Sequence, residues 1–157
     1  MSNLETGFPA PVFSAVAVGG PYGDGTPVSL SDFLGKNVVA YFYPKDDTPG
    51  CTTQACGLRD IWAELSQKAV VFGVSTDSEK SHKKFIDKYS LPFPLLSDVS
   101  QQIVESYGVW VEKSMYGKTY MGTERSTFVI GPDGVLQAVF RKVKPAEHAQ
   151  QILNALR

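Results

Sequence analysis

Val38-Val39-Ala40-Tyr41-Phe42-Tyr43 is apolar at every position and β-branched or aromatic at all but one. A strand of this kind can offer neither face to water, so it reads as a central strand buried on both sides. Val70-Val71-Phe72-Gly73-Val74-Ser75 has the same character. Between the two runs Leu58, Ile61, Trp62 and Leu65 recur at i, i+3, i+4, i+7, which predicts a helix from about Cys51 to Gln67. Two buried strands joined by such a helix make a βαβ unit with parallel strands.

The rest of the chain must fit around that unit. A stretch rich in turn formers, Val18 to Pro27, separates two short N-terminal strands, and Ser31-Asp32-Phe33-Leu34-Gly35 reads as a brief helical turn. Phe85, Ile86 and Tyr89 mark a second helix whose Lys80, Lys83, Lys84 and Lys88 form a solvated face, and Ile103, Val104 and Tyr107 mark a short third one. Thr127 to Ile130 and Val135 to Phe140 flank Pro132-Asp133-Gly134, a hairpin signal. Ala149, Ile152, Leu153 and Leu156 give a C-terminal amphipathic helix. A βαβ half followed by an αββα half is an α/β, thioredoxin-like plan. Here it carries an N-terminal β-hairpin extension and an inserted helical segment near Ser97 to Tyr107. The 157 residues suit one domain spanning 1–157.

Charge excludes some partners. Lys+Arg 15 against Asp+Glu 16 leaves a net charge of -1, so neither nucleic acid nor an anionic membrane surface is expected. No apolar run approaches the roughly 20 residues that cross a bilayer. Met1-Ser2-Asn3-Leu4-Glu5-Thr6 lacks a basic segment before an apolar core, so no signal peptide and a cytoplasmic location are expected. Two cysteines are too few for a disulfide scaffold and point to redox chemistry or metal binding.

Both cysteines lie at the start of the first helix. Thr48 can cap it and Pro49 suits its first position, which places Cys51 in the first turn. Unpaired backbone N–H groups and the helix dipole there favour a thiolate, the reactive form of cysteine. The Thr48 hydroxyl, three residues before the thiol, can both donate and accept. A thiolate also needs a fixed cation, and Arg125, at the start of the strand Ser126 to Ile130, is the candidate. The residues alone favour Arg125 pairing with Glu124 or Asp133 at a strand end, and leave open whether Cys56 is an inert thiol. A zinc site built from Cys51, Cys56, His82 and His148 is disfavoured, because both histidines lie in solvated-looking helices. A C-x-x-C motif is absent from the sequence, which argues against general dithiol exchange.

Pro44, Thr48 and Cys51, spaced P-x-x-x-T-x-x-C, resemble the active-site motif of the peroxiredoxins. The string from Tyr41 to Asp60 is similar to the bacterioferritin comigratory protein, or peroxiredoxin Q, group. The similarity continues through Ser75-Thr76-Asp77, Leu95-Leu96-Ser97-Asp98, Tyr107-Gly108-Val109-Trp110 and Arg125-Ser126-Thr127-Phe128. Gln54 stands where many relatives carry Glu, a mild variant.

The resemblance implies a thiol peroxidase of the atypical two-cysteine type. The Cys51 thiolate attacks hydrogen peroxide or an organic hydroperoxide and becomes a sulfenic acid. Thr48, Arg125 and backbone N–H groups position the peroxide, while Pro44 shields the pocket from water. Cys56 then forms a disulfide with Cys51, and thioredoxin or a similar dithiol reduces it. No cofactor and no metal are implied, and a resolving cysteine in the same chain favours a monomer. On a regular helix residues five apart have Cα atoms roughly 8.5 Å apart and point about 140° away from each other. A disulfide needs Cα atoms within about 7 Å, so the first turns must unwind on oxidation, eased by Gly50 and Gly57. Two alternatives are a glutathione-peroxidase-like enzyme and a redox-switched chaperone or binding module. The first would call for a Gln, Trp and Asn set around the cysteine, which is not found.

Overall fold

A computed structural model describes residues 4–156, so the first three residues of the N-terminal segment read above lie outside it. Along the chain, β1 (Ser14–Val18), β2 (Thr26–Ser29) and β3 (Val38–Phe42) precede α1 (Pro49–Asp60) and α2 (Trp62–Leu65). Then come β4 (Val70–Ser75), α3 (Glu79–Tyr89), β5 (Leu95–Ser97) and α4 (Gln102–Ser106). The chain continues through β6 (Trp110–Met115), β7 (Lys118–Thr123), β8 (Ser126–Ile130) and β9 (Leu136–Phe140) to α5 (His148–Ala155).

The two apolar runs become parallel neighbours, Val38 opposite Val70 and Phe42 opposite Val74. β8 lies antiparallel on the other side of β3, Val38 opposite Ile130 and Phe42 opposite Ser126. Seven strands form one sheet in the order β2-β1-β5-β4-β3-β8-β9. This is the thioredoxin-like α/β plan with its N-terminal hairpin and an inserted segment. Because side chains alternate across a strand, β3 feeds two cores. Val38, Ala40 and Phe42 pack with Phe72, Tyr107 and Phe128 on one face. Val39, Tyr41 and Tyr43 pack with Cys51, Leu58, Phe93 and Ile152 on the other, beneath α1 and α5.

Three features depart from the sequence reading. The helix expected from Cys51 to Gln67 is interrupted at Ile61 (φ −107°, ψ 13°), whose N–H reaches back only to Leu58 O at 3.3 Å. That tightened turn ends α1 and starts α2, with Leu58 and Leu65 fully buried on either side. β5, of three residues, was not anticipated, being too short to carry a period of its own. The β6–β7 hairpin was also missed. It turns at Tyr116-Gly117, both with positive φ (53° and 78°), the backbone a two-residue hairpin loop requires. Its strands are largely exposed, so no apolar alternation announces them.

Gly73 shows how closely β4 meets the face beneath α1. A Cβ there would lie 2.6 Å from Leu95 Cδ2 and 2.8 Å from Tyr41 Cζ. Gly73→Ala is expected to destabilise the protein by about 1–3 kcal/mol through overpacking, read as a lower urea midpoint at unchanged slope; an unchanged midpoint would contradict that contact.

Candidate active site

β3 delivers the chain to a short loop that ends at α1. Thr48 caps the helix with extended backbone (φ −98°, ψ 157°) and Pro49 occupies its first turn. The first ladder bond runs from the Thr52 N–H to Thr48 O at 2.8 Å, so the amides of Gly50 and Cys51 lie ahead of the ladder. The Thr48 side chain makes no capping bond; its hydroxyl donates to Lys45 O at 2.9 Å and keeps its lone pairs to accept. Cys51 is buried, 2% exposed. The loop is pinned from below at Asp46. Its carboxylate accepts from Tyr43 Oη at 2.5 Å and from Ser81 Oγ at 2.8 Å, and meets His82 Nδ1 at 2.7 Å. Burial first, and the Asp46 charge second, push the Tyr43 phenol well up, so it stays a donor.

Strand register brings in the cation. Ser126 lies opposite Phe42, so Arg125 stands at the end of β3 where the loop begins. Its Nη1 carries two N–H bonds: one reaches Cys51 Sγ at 3.4 Å, the other Gln54 Oε1 at 2.7 Å. Gly50 makes room, since a Cβ there would lie 3.0 Å from Arg125 Nη2. The competing partners are engaged elsewhere: Glu124 faces Arg141 at 3.7 Å, and Asp133 Oδ1 accepts from the Val135 N–H at 3.1 Å. Lys113, which was not singled out in the sequence, joins this neighbourhood. Its Nζ donates to Thr123 O at 2.6 Å. Burial and then Arg125 push its amine down, against the opposing pull of Cys51 and Glu124.

The second finding beyond the sequence reading is a polar chain behind Arg125. Gln54 is 1% exposed on the inner face of α1. Arg125 offers only donors, so Gln54 presents its oxygen to it and its nitrogen to His148 Nδ1, 3.1 Å away. His148 Nδ1 therefore accepts, and the ring proton sits on Nε2, 2.7 Å from Thr127 Oγ1. Burial and then the Arg125 charge push His148 down to about 3, so the ring is neutral at physiological pH. The sequence reading of both histidines as solvated is thus wrong. His82 and His148 are each 0% exposed, because each extends the apolar stripe of its own helix inward. The signal was readable: Cys51, Gln54, Ala55 and Leu58 follow i, i+3, i+4, i+7, so a polar residue at 54 had to be either buried or misplaced.

Cys56 lies on the same helix, half-buried, and both thiols are free. Pro44 is half-buried in the loop before Thr48. Among the described residues Asp46, Asp77 and His82 bring potential metal-ligating atoms within 4.8 Å of one another. Those atoms are already engaged: Asp77 Oδ2 accepts from the Asp46 N–H and Ser75 Oγ, and His82 bridges Asp46 and Leu96 O. No helix among the described residues is long and apolar enough to cross a membrane.

Residues 6–139 match the model of the AhpC/TSA family. A Coxiella burnetii protein named putative peroxiredoxin bcp is 48% identical over 155 residues, 98% of this chain and 99% of that protein. Peroxiredoxin Bcp of Escherichia coli is 47% identical over 158 residues, 100% of this chain and 98% of that one. Among solved structures, peroxiredoxin Q of Xanthomonas campestris superposes with a TM-score of 0.84 at 41% identity, covering 92% of this chain and 89% of that one.

The buried His148 makes a prediction about stability. Unfolding returns it to the ordinary value near 6.5, so between about 6.5 and about 3 the unfolded chain binds one more proton at this site. Its contribution to stability is therefore present above that window and is lost as pH falls through it. Urea midpoints measured from pH 7 to pH 4 are expected to fall more steeply for the natural protein than for His148→Asn; parallel curves would contradict the assignment.

Proposed function

The chain belongs to the AhpC/TSA family and is a thiol peroxidase of the peroxiredoxin Bcp kind, and we propose that Cys51 is its peroxidatic cysteine and Cys56 its resolving one. The observation that carries this reading is the Arg125 guanidinium 3.4 Å from a thiol in the first turn of α1. A cation and free amides converge on Cys51, whereas Cys56 lies more than a turn further along the helix.

In the first step the Cys51 thiolate attacks the terminal oxygen of a hydroperoxide. An S–O bond forms as the O–O bond breaks; sulfur is oxidised to the sulfenic acid, and the alkoxide or hydroxide leaves and takes a proton. The Arg125 guanidinium, held beside Cys51 by its Nη1 bond to Gln54, stabilises charge that grows on the oxygens in this transition state. The Thr48 hydroxyl, its proton directed at Lys45 O, accepts from the peroxide O–H. Pro44 walls the pocket on the loop side. In the second step the Cys56 sulfur displaces water from the sulfenic acid and a disulfide forms. Thioredoxin or another dithiol takes up the disulfide by exchange. A Xanthomonas campestris bacterioferritin comigratory protein has been studied for alkyl peroxide reduction, and organic hydroperoxides are proposed as substrates here too.

The helix opposes the second step. While α1 is intact, Cys51 and Cys56 are about five residues of helix apart and cannot bond, so residues 51–56 must unwind. Unwinding removes Gln54 from Arg125 and His148, and Ala55 from the core. Gly57 would accept a Cβ, its nearest contact being Ala149 Cβ at 3.9 Å, so packing does not require a glycine there. An intramolecular pair makes a one-domain monomer the simplest working unit.

A peroxide assay coupled to thioredoxin, thioredoxin reductase and NADPH tests these roles. Cys51→Ser is expected to abolish turnover; retained turnover sinks the reading. Cys56→Ser is expected to be oxidised once and then stall, with a sulfenic or sulfinic adduct at Cys51 in the mass spectrum. Normal recycling would remove Cys56 from its role. Arg125→Ala is expected to slow peroxide oxidation of Cys51 by roughly 100-fold or more, the usual scale for one lost charge-stabilising donor, with the fold kept. In the disulfide form, amide hydrogen exchange at residues 51–56 should lose its protection; a fully protected helix there would contradict the unwinding.

A further inference from the structure

We propose that His148 is a positioning residue for peroxide reduction, acting through the Gln54 amide to hold Arg125 on Cys51. The inference rests on Cys51 being the reacting thiol. It concerns a side chain that touches neither the thiol nor the space in front of it.

Gln54 has two ends and both are constrained. Its oxygen is 2.7 Å from Arg125 Nη1, and its nitrogen is 3.1 Å from His148 Nδ1. An amide can flip by 180° and swap oxygen for nitrogen at little intrinsic cost. A flipped Gln54 would set N–H against N–H at Arg125 and would turn the guanidinium away from the Sγ that shares the same Nη1. Arg125 alone disfavours that state. In its Nε2–H tautomer His148 adds to the bias, because a lone pair at Nδ1 accepts only from the amide nitrogen. With the proton on Nε2 the ring donates to Thr127 Oγ1, 2.7 Å away, and leaves a lone pair at Nδ1 for the amide.

The surroundings hold the ring in place. Tyr41 lies against it with ring centroids 5.3 Å apart, α5 carries it from one side and β8 supplies Thr127 from the other. The charged and titratable groups acting on it are Arg125 and, across the ring, the Tyr41 phenol, which burial keeps protonated. A neutral histidine behind a neutral amide also leaves the whole charge of Arg125 to the thiolate. A carboxylate at position 54 would take part of that charge for itself.

The test uses the full chain and three variants, with the second-order rate of Cys51 oxidation by hydrogen peroxide measured in a single turnover. His148→Phe keeps the bulk and removes the acceptor; it is expected to slow oxidation by about tenfold, the worth of one hydrogen bond. His148→Asn places an amide oxygen where Nδ1 stood and is expected to restore most of that loss. A wild-type rate in His148→Phe, or an Asn variant as slow as the Phe variant, overturns the proposal. Cys51→Ser runs alongside. If it still consumes peroxide, the assignment of the reacting thiol has failed; if it is inert while His148→Phe is normal, only the role of His148 has failed. Should His148→Phe not fold, nitrogen-15 NMR of the reduced natural protein decides. The ring is expected to be the neutral Nε2–H tautomer at pH 7 and to become an Nδ1–H donor in Gln54→Glu. A protonated Nδ1 in the natural protein overturns the proposal.

Discussion

The guanidinium of Arg125 stands between a thiol and an amide oxygen on one helix face, and much of the neighbouring structure can be understood as what that placement requires. The contact needs β8 to pair with β3 in a register that sets Ser126 opposite Phe42. It needs a residue without a side chain at Gly50, where the guanidinium passes close to the helix backbone. It needs an acceptor at Gln54 whose orientation is held from behind by His148.

The same helix carries two opposed demands. Its first turn supplies amides and a dipole that favour an anion at Cys51. Its regular geometry keeps Cys56 beyond bonding distance of Cys51. A catalytic cycle through a disulfide must therefore give up the structure that made the thiol reactive. Gln54 lies between the two cysteines, so the unwinding proposed to join them would also release Arg125 and His148. In the proposed cycle activation and resolution are alternatives of one segment rather than two sites.

Elsewhere, legibility in the sequence followed burial. β3, β4, β8 and β9 were readable because their apolar pattern is dense and their turns carry Pro, Asp and Gly. The β6–β7 hairpin was not, because most of its side chains face water and a Tyr-Gly turn is a weak signal. Gln54, His82 and His148 expose a different limit. Each falls on the apolar stripe of its helix, so each was a visible irregularity, yet the two histidines were read as lying in solvated helices and Gln54 only as a variant of the motif. The partner that makes such a residue fit a core, Arg125 for Gln54 or Asp46 for His82, comes from a distant part of the chain.

By itself the sequence determined the βαβ unit, the helix start at Thr48-Pro49, the presence of a thiol in the first turn and the family resemblance. These depend on local periodicity, capping chemistry and a compact motif, all of which act over a few residues. The sequence offered Arg125 as a candidate cation, and tertiary structure decided between the thiol and its acidic neighbours, since Arg125 lies 74 positions from Cys51 and reaches it through strand register. It likewise decided that two histidines are buried, and that one of them, neutral, stands behind the amide that steers the guanidinium. A buried polar group is tolerated only where its hydrogen bonds close, and that closure is a property of the assembled fold.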